Sequence, residues 1–596
     1  MAYNHFDYVP SSTSNDRSVF KFDKPIATSG DIGYLYPMCK PVRMLPGSTL
    51  KLDFACEVRS GALIAPLMDE LCMDIFAFNV PNRIVWEHWK QFLGAVDDVL
   101  FDNLSDYTIP NFHYCGIYQE TNASNSYLWN KTLAAHFELP YLVERYDLDA
   151  SNHSKAIEIS ALPFRGYSFI WNEYFRPEQL VAPVLFSKTD AGYSGQNMTM
   201  TCFWLTFNGV GNSFCNVAPA AISSVNAAGC GGVVLPTFRV HKSLWTSCLP
   251  SPSLETLNLL GDLQAPVVLA TSNGSYSIGE NTTGLAGSNT SFYGPLVSAS
   301  GDVKVPIGQF YNGSQYATVQ ADLSQAVLTL NNYLETRMLQ NYYNLLNRAG
   351  SRYDEIIRNL FHTISPAAII DIPELIVHKR FTIYRKQVIA QASTNYGDAN
   401  TKVLGQQGAY IDTVVRDTFF TKSTTEHGYI HILWTIRPLH IRMQDGIEPE
   451  WTQLGKFDQY YSCFDGMGDV ARYKREIHFG TTPESNDKTE IFGYQEYGAE
   501  YKYQRASAIG WLNQNGDYPI PGFTLAEQLN AQPTLQGNIY SGVPYASCFV
   551  EMEAFARCLA ISSPMVAPQF ILDIRLTGEI VHPMPVYNIP GLGELL

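Results

Sequence analysis

His427 and His431 stand four residues apart in an alternating apolar run, with Glu426 beside them. Two imidazoles and a carboxylate could hold a divalent cation. A zinc site, however, needs a third or fourth ligand at recognisable spacing, and none follows. A packed or interface pair is the simpler account. Trp86-Glu87-His88-Trp89 has the residue types of a sugar platform beside an acid. On a helix the two indoles lie one turn apart, which is ordinary packing. No phosphate-binding GxxxxGK(S/T), nucleophile GxSxG or metal-binding HExxH occurs. The 56 acidic residues include no pair set apart as a glycosidase dyad. The expectation is no catalytic residue, no cofactor and no metal.

The densest basic stretch is His378-Lys379-Arg380-Phe381-Thr382-Ile383-Tyr384-Arg385-Lys386. Lys379, Arg380, Arg385 and Lys386, interleaved with rings, have the composition of a single-strand nucleic-acid stripe. In such a stripe charge follows the phosphates and rings stack on bases. A strand would divide them. Lys379 and Arg385 would face one way, Arg380 and Lys386 the other, so only two charges would share a face. Arg472, Lys474 and Arg475 form a lesser cluster, offset by Glu476. Tyr494, Tyr497, Tyr501 and Tyr503 are candidates for a subunit interface, where tyrosine is enriched, or for core packing.

The frame for these side chains reads as β structure. In Thr49 to Ser60 the residues Leu50, Leu52, Phe54, Cys56 and Val58 alternate with Lys51, Asp53, Glu57 and Arg59, as in a half-buried antiparallel strand. Gly428 to Met443 repeats the pattern with Ile430, Ile432, Trp434 and Ile436 on one side. Phe570 to His582 does so with Leu572, Ile574 and Leu576, and Phe492 to Gln504 is an aromatic strand candidate. Strands this far apart need long-range pairing, as in Greek-key or jelly-roll sandwiches. No βαβ rhythm is visible. Helices are predicted over Asn82 to Leu93, over Gly166 to Arg176, and from about Thr318 to Ala349. The last carries a stripe of Val319, Leu323, Val327, Leu330, Leu334, Met338, Tyr342 and Leu345, and Gly350 is placed to end it.

Composition narrows the class. The 596 residues are 46% apolar and only 16% charged, which excludes a disordered chain. The net charge of −16 is not that of a general nucleic-acid binder. Eleven scattered cysteines without a CxxC suggest reduced thiols. The start lacks the pattern of a secretory signal. The apolar window Ala218 to Leu235 is broken by Ser, Asn and Gly, so no membrane insertion is expected. Residues 191–301 hold five charges and 14 of the 43 glycines. They read as a large insertion suited to self-association or receptor contact.

Several blocks, in order along the chain, resemble the major capsid protein of the microviruses, small single-stranded DNA bacteriophages, nearest the gokushovirus-like branch. They are Leu45-Pro46-Gly47, Pro66-Leu67-Met68-Asp69, and Val80-Pro81-Asn82-Arg83 running on to Trp86-Glu87-His88-Trp89. Next come Ser160-Ala161-Leu162-Pro163-Phe164-Arg165-Gly166-Tyr167 and Trp171-Asn172-Glu173-Tyr174-Phe175-Arg176. Ser351-Arg352-Tyr353-Asp354-Glu355, Glu426-His427-Gly428-Tyr429, Phe492-Gly493-Tyr494-Gln495-Glu496 and Pro583-Met584-Pro585-Val586-Tyr587 complete the set. Residues 191–301 depart from the pattern, and 396–410 and 505–550 match it poorly.

The resemblance implies a mainly β fold, an eight-stranded antiparallel jelly roll with long insertions and several helices. It implies a T=1 icosahedral shell of sixty copies around circular single-stranded DNA. It also implies a small basic packaging protein, scaffolding and DNA pilot proteins as partners, assembly in the host cytoplasm, and a host receptor met through an outward insertion. The expected divisions are an N-terminal arm (1–30), the first half of the jelly roll (31–190), and a charge-poor surface insertion (191–305). A helical insertion (306–375), the second half of the jelly roll (376–582) and a C-terminal arm (583–596) follow. A β-rich carbohydrate-binding or carbohydrate-active protein is the alternative. A receptor-binding fibre is a third option, but its repeats are missing.

Overall fold

A computed structural model describes residues 17–94, 107–114, 133–140, 157–179, 183, 188–190, 235–236, 238–239, 241–253, 267–270, 309–311, 316–321, 330–350, 352–363, 371–389, 407–440, 446–477, 479, 490–512, 523–525, 555–561 and 567–586. The strands, in chain order, are β1 (Ser18–Gly30), β2 (Tyr36–Pro37), β3 (Val42–Met44), β4 (Thr49–Ser60) and β5 (Leu71–Pro81). Then come β6 (Asn111–Tyr114), β7 (Ile157–Ser160), β8 (Val267–Ala270), β9 (Gln309–Tyr311), β10 (Tyr316–Ala321), β11 (Glu374–Ile383) and β12 (Arg385–Ile389). The last are β13 (Gln407–Ser423), β14 (Gly428–Pro438), β15 (Asp469–Tyr473), β16 (Ile491–Glu496) and β17 (Phe570–His582).

Two five-stranded antiparallel sheets form the body. The first has the order β1-β17-β4-β13-β12. In the second, β11-β5-β14 is extended by β2 and β3, both paired with β14. Alternation explains the first sheet. Leu50, Leu52, Phe54, Cys56 and Val58 of β4 and Leu572, Ile574 and Leu576 of β17 are buried, while Lys51, Arg59, Asp573 and Arg575 face out. The sheets meet through side chains of both. Phe54 lies 6.1 Å from Phe381 of β11, and Trp434 of β14 stacks on Tyr36 at 4.7 Å and packs against Gly30 of β1. This is the sandwich of a jelly roll, built from strands hundreds of residues apart.

The second sheet is covered on its other face too, which is why β5 reads as a continuous apolar run. Helix Leu162–Ile170, continued as a π-helical turn over Trp171–Phe175, lies there. Phe76 and Phe78 meet Phe175 at 5.0 and 5.8 Å. Leu235, Phe238, Leu244, Trp245 and Cys248 are buried in the same core. This stretch of the expected surface insertion is therefore core. Its apolar side chains and its backbone bonds to Gly33 and Leu35 hold it there.

Other expectations change as well. Ser18–Gly30 is no arm. It pairs along its whole length with β17, from Ser18 opposite His582 to Gly30 opposite Phe570, with Phe20, Phe22 and Ile26 turned to the core. Asn82 to Leu93 is two short helices, Asn82–Val85 and Trp89–Phe92, because Trp86 is extended. Phe492 to Gln504 is strand only to Glu496, after which Gly498 turns the chain into helix Ala499–Lys502. The remainder of residues 191–305, residues 396–406 and the end from 587 largely lie outside the described residues.

Residues 253–348 form a second compact unit. It contains the antiparallel sheet β8-β10-β9 and most of helix Leu330–Ala349. The long helix thus does not begin near Thr318, where Tyr316–Ala321 pairs with Val267–Ala270 instead. Its end is as expected, with Gly350 at φ +102°, a conformation open to glycine. The stripe of Leu334, Met338, Tyr342 and Leu345 is largely exposed.

Candidate functional site

The basic stretch 378–386 is split between the two sheets. β11 edges one, the chain turns at Tyr384, and β12 edges the other. Lys379 reaches across to Asp417 at 2.5 Å and to the Thr418 carbonyl. Arg380 Nε donates to Asp74 at 2.8 Å. Arg385 Nη1 donates to the Asp69 carbonyl at 3.4 Å, and Lys386 pairs with Asp412. All four cations are engaged within the chain; Arg380, Arg385 and Lys386 are exposed and Lys379 is half-buried.

Asp74 gathers the second sheet. Its Oδ1 bonds His378 Nε2 at 3.0 Å and Arg380, and Oδ2 accepts from Arg437 Nε at 2.7 Å. Burial raises its carboxyl, but Arg437, Arg380 and His378 outweigh that and hold it below the usual range. Beside it, Cys72 Sγ lies 3.4 Å from His241 Nε2. Cys72, Asp74 and His241 converge within 4.8 Å of one another, the one such group of metal-ligand types found among the described residues. A cation would fit poorly. Both Asp74 oxygens are taken, and Arg437 and Arg380 stand in the group. Burial, aided by Asp74, drives the Cys72 thiol up to about 11. Burial and the two arginines push His241 down to about 4. The arrangement is an ionic brace tying β5, β11 and β14 together.

The two histidines of the alternating run are not brought together. His431 is buried beneath the helix, so near Gly166 that a Cβ there would lie 2.7 Å from Nε2. Burial lowers it to about 3, so it is neutral. His427 lies edge-on to Trp89 at 5.6 Å, and Glu426 turns to Arg83 at 3.1 Å. In the Trp86-to-Trp89 segment the indoles lie 6.0 Å apart. Trp86 Nε1 donates to Asp190 at 2.7 Å, and His88 Nδ1 bonds the same oxygen at 2.8 Å. Both groups serve packing.

The lesser cluster lies on the β15-β16 hairpin. Arg472 is buried, paired with Glu500 and 4.0 Å from Glu476. Lys474 pairs with Glu490 at 2.8 Å, and Arg475 lies over the Tyr473 ring at 5.4 Å. The four tyrosines divide. Tyr494 and Tyr497 are half-buried, and Tyr501 and Tyr503 are exposed. Tyr497 stacks on Tyr460 at 5.2 Å, which joins this segment to residues 449–464. There Trp451, Leu454 and Phe457 are largely exposed. Sequence reasoning missed them, although apolar side chains at a spacing of three in a Pro- and Gly-bounded loop were a signal.

The described residues form a two-sheet antiparallel sandwich braced by buried ion pairs. Residues 8–592 match the family model described as Capsid protein (F protein). The chain belongs to this capsid protein family. It is similar to capsid protein VP1 of Bdellovibrio phage phiMH2K, 26% identical over 92% of this chain and 90% of the relative. It is similar to capsid protein VP1 of Chlamydia phage 1, 25% identical over 99% and 98%. It is similar also to capsid protein VP1 of Spiroplasma virus 4, 24% identical over 95% and 93%. The family is structural and not enzymatic. As a capsid protein it is a component of the virion. The Asp74 brace ties three strands of the second sheet together within the subunit.

Proposed function

We propose that this capsid protein assembles as sixty copies into a T=1 icosahedral shell around a circular single-stranded DNA genome. The observation that carries the reading is the family match over nearly the whole chain, joined to a two-sheet antiparallel sandwich. Closed symmetry lets modest contacts add into a stable shell. Assembly takes place in the host cytoplasm, with scaffolding and DNA pilot proteins, and the 191–305 insertion, apart from its buried stretch 235–248, meets the host receptor.

Sixty copies at −16 give the shell a charge of about −960, so cations must be supplied near phosphate. A small basic packaging protein is proposed to supply most of them. Arg385 and Lys386, side by side on the edge strand β12, are the chain's own proposed contacts. Lys379, Arg380, Arg472, Lys474 and Arg475 contribute only where a phosphate displaces their present partners.

Analytical ultracentrifugation with electron microscopy of the chain, expressed with any viral scaffold it requires, tests the reading. Uniform round shells of about 4.0 MDa of protein are expected from sixty chains of 66.6 kDa. A stable monomer in the presence of the viral partners would overturn it.

A further inference from the structure

We infer that residues 449–464, with residues 497–503, form a seam between subunits whose occupant is a second copy of this chain. The inference deepens the capsid reading and rests on it. The segment is not loose. The Gly455 N–H donates to Asp458 Oδ2 at 2.8 Å, and Gln459 Nε2 donates to the Gln453 carbonyl at 3.3 Å. Three bonds fasten it to the neighbouring segment. Gln453 Nε2 donates to Glu500 at 2.9 Å, the Tyr461 N–H donates to Tyr497 Oη at 2.8 Å, and Tyr497 Oη donates to the Gln459 carbonyl at 3.2 Å. The loop is held in shape by its own chain, yet it turns large apolar side chains outward. Trp451 is 74% exposed, Leu454 90% and Phe457 74%. Tyr460, Tyr461, Tyr501 and Tyr503 add partly uncovered rings.

Large aromatic side chains carry about 150–250 Å² each, so the six rings leave roughly 500–850 Å² uncovered, and Leu454 adds to it. The largest apolar patch of an ordinary monomer is about 300–600 Å². A standard protein interface uses about 800 Å² per partner. The uncovered area is therefore what one stable contact needs. Its composition, tryptophan and tyrosine above all, is that of residues that carry interface energy. Preorganisation removes the ordering cost that a flexible loop would bring to association.

Charge selects the occupant. Glu450 and Asp458 lie on the segment and Asp465 just beyond it, with the single cation Lys456, and Lys502 is paired with Glu496 at 2.9 Å. A surface with excess carboxylates does not attract phosphate, so it fits neither nucleic acid nor an anionic membrane. In a shell the partner present at every such surface is another copy, brought by symmetry.

The test compares the wild-type chain with Trp451→Ser/Phe457→Ser and, separately, Leu454→Glu. All are expressed with the viral scaffold and followed by sedimentation and by thermal melting of the free subunit. The expected result is shells from the wild type, a fall in shell yield of about tenfold or more for both variants, and unchanged melting. If both variants form shells with wild-type yield and salt resistance, the seam is overturned and the capsid reading stands. If the wild type itself stays monomeric, the capsid reading fails and takes the seam with it. Flotation of the wild-type subunit with phosphatidylcholine–phosphatidylglycerol vesicles, without self-association, would also overturn the seam.

Discussion

Asp74 sits within a strand that is otherwise almost wholly apolar, and its charge survives burial because Arg380, Arg437 and His378 surround it. Removing one partner of such a set leaves the others buried and uncompensated. Asp74→Asn should cost about 3–5 kcal/mol in urea unfolding of the subunit. Its carboxyl is held below the ordinary range, so its contribution is present above that range and lost as pH falls through the folded pKa. Acid unfolding of the variant should therefore be shallower in that window. Glu476 has the opposite sign. Burial outweighs Arg472 and raises it from 4.5 to about 7. Below pH 4.5 both states hold the proton. As pH rises towards 7 only the folded state keeps it, so stability falls by about 3 kcal/mol across that window. Glu476→Gln should remove that slope and be more stable than the wild type above pH 7. A melting series from pH 4 to 8 checks it.

Among the elements, β1 shows how a strand closes a sheet. It covers the edge of β17 and brings Phe20, Phe22 and Ile26 against the core. Burying each such side chain is worth about 1.5–3 kcal/mol. Deleting residues 18–30 should therefore cost several kcal/mol and leave an open edge prone to pairing with another chain. Lower melting temperature and aggregation on gel filtration are the expected readings. The limits of β4 and β17 were legible to the residue, because one face of each is buried and the other wet. Tyr316–Ala321 was not, because its apolar positions also suit a helix, and only pairing with Val267–Ala270 makes it a strand. The helix stripe from Leu334 to Leu345 was legible as a stripe. That it is largely exposed in this unit was not.

For the whole molecule, charge is spent locally. Arg575 pairs with Asp23, Arg59 with Glu57, and Lys386 with Asp412 across the outer face of the first sheet. Four free cations on single-stranded DNA would give a log–log salt slope of about −3. The isolated subunit should show a shallower slope in a fluorescence titration, because these cations already have partners. The saturated Cys72-Asp74-His241 group predicts that neither zinc nor a chelator shifts the melting temperature. Among the described residues Cys39, Cys56, Cys72 and Cys463 are free thiols, and the first three are buried.

The sequence by itself determined the class of this protein. Strict alternation in distant segments demands antiparallel β sheets, low charge demands covered surface, and the ordered capsid-like blocks name the family. Only the tertiary structure decided which polar groups do what. Lys379 and Arg380 look like one stripe with Arg385 and Lys386 in sequence, and the turn at Tyr384 places the two pairs on different sheets. Trp245 reads as part of a surface insertion and is core. Trp451, Leu454 and Phe457 read as ordinary apolar residues and stand uncovered. The physical reason is that local periodicity reports which side of an element a residue takes. What lies on that side is set by residues hundreds of positions away.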